Sequence, residues 1–262
     1  MKSLLASCLA CIALAGAAAG VASSAPQPPD YQWAKRIAAA KRFADGRSGR
    51  VSFAVVDEAG RLRGAHLNRV HNSASVVKVM FMVALLREPG VRHDTLTASE
   101  KHLLGPMIKR SDNQAATAVY SRVGEGALHE LARDAGMRHF TTQPLWGLST
   151  ITAAEQARFM YRLERFIPKR HRGYALHLLS RIVGAQRWGI PPVAPRGWKL
   201  HFKGGWSGAP NWRVNQVTLL RDPPRRFSLA ILTREQPSLV YGERTIEGVA
   251  RLLLRRYNRV SR

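Results

Sequence analysis

From Val76 to Leu86 the chain reads Val-Val-Lys-Val-Met-Phe-Met-Val-Ala-Leu-Leu, and Lys78 is its only charge. A helix made of this stretch is apolar on nearly every side, so it belongs inside the protein. The rest of the chain can enclose it. Hydrophobic residues make up 45% of the 262, which excludes intrinsic disorder despite a formal charge of +24. That length suits one or two globular domains with a real core. A strict glycine repeat, a heptad run and a fixed internal period are all absent from the sequence, which excludes fibres and solenoids.

Elements on either side of this helix follow from local patterns. Asp30 to Phe43 is apolar along one face and is followed by Gly46. Arg50 to Val56 and Arg61 to Leu67 are short β-rich runs around Asp57-Glu58-Ala59-Gly60, the turn chemistry of a hairpin. Thr97 with Glu100 forms a capping box that opens a helix towards Lys109, and helices follow near 114–122 and 126–135, closed by Gly136. Thr152 with Glu155 forms a second capping box, and a further helix covers about 174–183. Strands return at 199–206, 212–220 and 226–233, and Tyr241 to Tyr257 ends the chain as an amphipathic helix. Strands at both ends of a helical middle predict an α+β fold. Its five-stranded antiparallel sheet, flanked by the terminal helices, would use residues about 26–67 and 196–262. An all-helical insert would cover about 68–195, with a cleft where insert and sheet meet.

The N-terminus addresses the compartment. Lys2, the apolar run from Leu4 to Ala15 and the small residues from Ala17 to Ala25 make a secretory signal peptide, expected over residues 1–25. Both cysteines, Cys8 and Cys11, leave with it, so the domain over 26–262 has neither disulfide nor thiolate metal site. No later apolar stretch is long enough to span a bilayer. The expected location is secreted, periplasmic or cell envelope.

Three short motifs occur in order. Ser75-Val76-Val77-Lys78 is S-x-x-K at the start of the buried helix, Ser111-Asp112-Asn113 links two helices, and Lys203-Gly204-Gly205 lies on the first returning strand. None is distinctive alone: S-x-x-K arises by chance in a chain of this size, Asp112 or Asn113 caps the following helix, and Lys-Gly-Gly suits a hairpin strand. Ser75 and Lys78 lie one helical turn apart and share a face. A serine hydroxyl is a weak nucleophile until a neighbouring base takes its proton. Lys78 can be that base if burial and nearby cations lower its pKa.

The ordered trio resembles the class A β-lactamase and penicillin-binding protein superfamily of serine hydrolases, whose signature it is. The resemblance spans essentially the whole chain after the signal. It implies catalytic roles for Ser75 as nucleophile, Lys78 as base and Ser111 as proton relay to the leaving nitrogen. Asn113 would hydrogen-bond Lys78 and the substrate amide, and Lys203 would attract the substrate carboxylate. Gly205 would sit in the substrate-binding strand, and the backbone N–H groups of Ser75 and Trp206 would form the oxyanion hole. Arg213 is either a carboxylate-binding residue, as in similar family members, or an exposed structural arginine.

The chain departs from that pattern in three places. Residues 137–151, where class A enzymes carry a water-activating Glu, contain no Asp or Glu. Glu155 is explained by its capping box, while His139, Thr141, Gln143 and Ser149 are all present to position a water. Only 36 positions separate Ser75 from Ser111, so a segment lining one cleft wall is missing, and Gly204 replaces the usual hydroxyl residue. Efficient β-lactam hydrolysis therefore does not follow from the resemblance.

The leading reading is an exported serine hydrolase that forms an acyl-enzyme on β-lactam or D-Ala-type peptide amides, with no cofactor and no metal. The alternative is a non-catalytic or penicillin-binding envelope protein that retains the fold. The charge invites a nucleic-acid reading, but no nucleic-acid motif is present and export removes the chain from such partners. Between Arg165 and Arg221 there are eleven Lys or Arg and no acid. This predicts a basic rim beside the cleft that attracts anionic substrates and anionic cell-wall polymers, or simply a solvated basic surface. A monomer is expected.

Overall fold

In the computed structural model, which describes residues 31–255 and 257, the sheet is antiparallel and two-faced. The strands are β1 (Arg50–Val56), β2 (Leu62–Ala65), β5 (Lys199–Ser207), β6 (Arg213–Asp222) and β7 (Arg225–Arg234), in the order β2-β1-β7-β6-β5. Alternate residues of each strand enter different cores. Phe53, Val55, Leu229 and Ile231 meet the terminal helices α1 (Trp33–Asp45) and α9 (Leu239–Leu254). Ala54, Val56, Ala230 and Leu232 meet the helical layer on the other face. Because both faces are covered, β1, β6 and β7 are buried over nearly their whole length and show no alternation of buried and exposed positions. The β1–β2 turn is built as expected: Asp57 is fully buried, accepts from the N–H of Arg61 at 2.9 Å and takes Arg63 at 3.1 Å.

The helical layer surrounds α2 (Lys78–Arg87), in which every residue from Lys78 to Leu86 is buried. Around and beyond it lie α3 (Pro89–Arg92), α4 (Ala98–Lys109), α5 (Asn113–Ala135), α6 (Ala153–Tyr161), α7 (Leu163–Phe166) and α8 (Arg172–Ser180). The capping box of α4 is complete, with Thr97 Oγ1 accepting from the N–H of Glu100 and Glu100 Oε2 from that of Thr97. Among the described residues no helix is long and apolar enough to cross a membrane. The expected signal peptide lies outside the described residues.

The two helices expected near 114–122 and 126–135 are both present, meeting in α5 at a kink at Gly124, whose φ of 71° a side-chain-bearing residue rarely adopts. Several expectations are corrected. Val76 and Val77 do not open the α-helix: Ala74–Val77 is a 3-10 turn, and α2 starts at Lys78. The last helix ends at Leu254, and Tyr257 packs against Tyr31, Trp198 and Phe227. The insert also holds a two-stranded ribbon, β3 (Val70–Asn72) with β4 (Thr150–Thr152), whose three-residue strands are too short to leave a pattern in sequence.

Removing the α4 cap with Thr97→Ala should lower unfolding free energy by about 1 kcal/mol. Thr97→Ser should restore most of it, as read by denaturant melts.

Candidate active site

The ribbon delivers the chain to Ser75 under tension. The Asn215 side chain, projecting from β6, donates to the carbonyls of Asn72 at 2.8 Å and Ser73 at 3.2 Å. The N–H of Ser73 donates to the Ser149 carbonyl at 2.8 Å, and Asn72 Nδ2 to that of Leu148 at 2.8 Å. Between these anchors Ala74 has φ of 45°, a strained conformation for a residue with a Cβ, which persists only where its surroundings over-determine it. Ser75 then enters the 3-10 turn, whose three residues per turn stack positions i and i+3. Ser75 thus shares an edge with Lys78. Its Oγ has no hydrogen-bond partner among the described residues.

Lys78 faces the Ser-Asp-Asn segment. Its Nζ donates to the Ser111 carbonyl at 2.6 Å, Asn113 Oδ1 at 2.8 Å, the Asp112 carbonyl at 3.2 Å and Ser111 Oγ at 3.3 Å. Lys203 reaches the same hydroxyl from β5, with Nζ 3.0 Å from Ser111 Oγ and 2.7 Å from the Gly204 carbonyl. Both lysines are fully buried, and among the described residues neither hydrogen-bonds a carboxylate. With two amines donating to it, the lone pairs of Ser111 Oγ are occupied and its own proton points elsewhere. Ser111 itself has φ of 60°, a second strained residue in the site. Asp112 keeps its side chain for helix capping and accepts from the N–H of Ala115 at 2.8 Å.

Burial drives the electrostatics here. It lowers the Lys78 pKa to about 7, against the opposing pull of Asp112. Burial also pushes Lys203 well below the ordinary lysine range, and the neighbouring charge of Lys78 adds to that shift. An amine near neutrality is available as a base.

Strand β5 closes the site from the sheet side. A Cβ on Gly205 would lie 2.6 Å from the Ser75 nitrogen and 2.7 Å from that of Val76, so only glycine lets the strand approach this closely. Lys203, Gly205 and Ser207 share one face of β5. Across the ladder, Ser207 is paired with Arg213 and Gly205 with Asn215. Arg213 is half-buried and committed to structural contacts: Nε donates to Asn72 Oδ1 at 3.2 Å and a terminal nitrogen to Ser207 Oγ at 3.1 Å. Trp206 alternates to the opposite face, where its ring meets Trp188 edge-on at 6.0 Å. The Trp188 ring also fills the space beside Gly204, 3.0 Å from where a Cβ would stand.

The loop without an acid places Trp146 over Lys78, with the ring centroid 4.9 Å from Nζ. Its indole packs edge-on against Phe81 at 5.9 Å and donates to Thr117 Oγ1 at 3.2 Å. The second capping box is only half made. Thr152 Oγ1 accepts from the N–H of Glu155, but Glu155 Oε1 accepts instead from the N–H groups of Arg138 at 2.7 Å and His139 at 3.1 Å. It also meets His139 Nδ1 at 2.8 Å. Two loop amides and an imidazole outcompete the single amide of Thr152, itself paired with Val70 in the ribbon. Of the residues that could position a water, His139 is held by Glu155 and Thr141 by Thr150. Gln143 is exposed, and Ser149 is buried with its Oγ unpartnered among the described residues.

Sequence reasoning missed Trp146, Asn72 and Asn215. Asn215 did leave a signal, a polar pair with Gln216 inside the apolar run of β6. The predicted basic rim is also dispersed. Lys203 is buried, Arg213 is tied down, Arg221 pairs with Glu164 at 3.2 Å and Arg187 lies over Phe202. Among the described residues no group of His, Cys, Asp or Glu is arranged to hold a metal ion.

Gly205→Ala would force β5 off the Ser75 turn. It should cost about 1–3 kcal/mol of stability, seen as a lower melting temperature. Lys78 carries a pH signature. Its pKa is about 7 when folded against an ordinary 10.5, so between these values the unfolded chain binds more protons and stability rises with pH. The stability of Lys78→Met minus that of wild type should therefore be most favourable near pH 7 and decline towards pH 10. A flat difference would contradict the depressed pKa.

A family model described as Beta-lactamase enzyme family matches residues 88–257. A β-lactamase from Sphaerobacter thermophilus superposes with a TM-score of 0.74 at 21% identity, covering 86% of this chain and 97% of that one. A class A β-lactamase from Mycobacterium abscessus gives 0.71 at 20% identity, with 85% and 99% covered. A β-lactamase from Xanthomonas campestris gives 0.74 at 18% identity, with 84% and 96% covered. At these identities the structural likeness is one of fold. No curated protein sequence matches the chain.

Proposed function

The chain belongs to the β-lactamase enzyme family, and from that premise we propose that it is an exported serine hydrolase whose Ser75 is acylated by β-lactams or D-Ala-type peptide amides to give a slowly hydrolysed acyl-enzyme. The observation that carries this reading is the convergence of Lys78, Lys203 and Asn113 on the Ser111 segment beside Ser75. In the acylation step the neutral Lys78 amine accepts the Ser75 hydroxyl proton as Oγ attacks the amide carbonyl. The tetrahedral oxygen is held by the N–H groups of Ser75 and Trp206. Its collapse breaks the C–N bond, and the leaving nitrogen takes a proton from Ser111, which is replenished from a lysine. The substrate carboxylate is drawn by Lys203, and the amide is oriented by Asn113. Arg213 acts here as a support for Asn72 and Ser207, consistent with its two hydrogen bonds.

Deacylation needs a base to activate water, and the loop beside Lys78 offers an indole instead of a carboxylate. The acyl-enzyme should therefore be long-lived, which makes this a penicillin-binding enzyme before it is an efficient β-lactamase. A non-catalytic binding protein is the second reading. What favours it is that Lys78 donates to the Ser-Asp-Asn segment and Ser75 Oγ has no hydrogen-bonded base among the described residues.

Time-resolved mass spectrometry of the intact protein with benzylpenicillin tests both. The expected result is one adduct on Ser75, forming faster as pH rises through about 7 and decaying slowly; Ser75→Ala forms none. Rapid turnover would overturn the slow deacylation. Absence of any adduct at pH 6–9, together with no labelling by a serine-reactive probe, would favour the non-catalytic reading.

A further inference from the structure

A cavity of about 1020 Å³ opens at the C-terminal end of α2, the end opposite Lys78. Its walls come from the end of α2, from α3, from α5 and from residues 165–172. Three acids line it, and each already has an arginine partner. Glu88 takes Arg122 at 2.7 Å, while Arg87 reaches Glu130 at 3.5 Å and also pairs with Asp134. Arg92, Arg165, Lys169 and Arg170 line the same cavity with exposed side chains, and none has an acidic partner among the described residues. The run of cations that predicted a rim beside the cleft thus sends four of its members here, Arg172 as well as Arg165, Lys169 and Arg170.

The wall that carries them is firm. Phe166 stacks on Phe159 at 5.4 Å, and Ile167 is buried. The buried imidazole of His171 meets the Val91 carbonyl at 2.9 Å, tying the Lys169–His171 turn to α3. Arg172 Nε donates to the Ile167 carbonyl at 3.1 Å. Cations held around a concave surface focus their field into it, and guanidinium groups match phosphate oxygens in pairs. A single phosphate would neither fill this volume nor balance four uncompensated cations, each phosphate group bringing about −1 to −2 charges.

The geometry points to a second binding site, separate from Ser75, for an oligophosphate that is free in solution or borne on a polymer. Arg92, Arg165, Lys169 and Arg170 are its recognition residues. Calorimetric titration of the full chain at physiological salt, first with inorganic tripolyphosphate and then with long-chain polyphosphate, tests it. Saturable binding of either is expected. The variant Arg92→Ala/Lys169→Ala/Arg170→Ala should weaken it at least about tenfold, given the strength of charge-assisted bonds. Lys35→Ala/Lys41→Ala/Arg42→Ala removes equal charge from α1, which packs on the opposite sheet face. That control should change affinity less than about twofold. Tighter binding of the long chain assigns the ligand to a polymer, and equal affinity assigns it to a free anion. No saturable binding, or equal weakening by both variants, would overturn the site and leave only the general attraction of a +24 chain. The cavity variant should form the Ser75 adduct at the wild-type rate, so failure of one site is distinguishable from failure of the other.

Discussion

Two lysine amines, both out of water, donate to one serine hydroxyl, and among the described residues no carboxylate hydrogen-bonds either of them. Burying an amine without a counterion is costly, and the protein meets that cost by letting the amines lose their protons more readily. The remaining stabilisation comes from oxygen acceptors: the carbonyls of Ser111, Asp112 and Gly204, and the amide oxygen of Asn113. That arrangement dictates much of what surrounds it. The segment from Ser111 to Asn113 must present several oxygens to one point, which helps to account for the left-handed Ser111 backbone. Strand β5 must bring Lys203 inward while passing against the Ser75 turn, which requires Gly205.

The loop over Lys78 belongs to the same economy of charge. A carboxylate there would supply an ion pair and raise the amine's pKa; the indole of Trp146 brings no negative charge and leaves the amine near neutrality. Glu155, the nearest acid downstream of the loop, is spent on the amides of Arg138 and His139, where it fixes the loop's entry. On the proposed reading, the same absence that suits proton abstraction from Ser75 deprives a water of its base.

How much of this was legible can be judged residue by residue. The five strands and the capped α4 were readable because hydrophobic runs, turn chemistry and the Thr97–Glu100 box act locally. Ser75, Lys78, Ser111, Asn113, Lys203 and Gly205 were readable because their order and spacing are distinctive. Trp146 was not, since nothing in a loop's sequence says which side chain folds over a residue nearly seventy positions away. The ribbon β3–β4 was hidden for a similar reason, being made of pairs far apart in the chain. The Thr152–Glu155 pair misled because a local motif competed with two more distant amides and lost.

The sequence by itself determined the class of fold, the central buried helix and the trio of motifs, all of which depend on short-range periodicity and composition. Only the tertiary structure decided what the lysines touch, because burial and hydrogen bonding are set by segments that meet across the sheet edge. It also moved the meaning of the basic run. In sequence those cations lie in one acid-free stretch; in space some are buried, some are tied to partners, and four gather at a cavity at the other end of α2. Charge is additive along a chain, but its effect depends on where low-dielectric walls and unpaired groups bring it together.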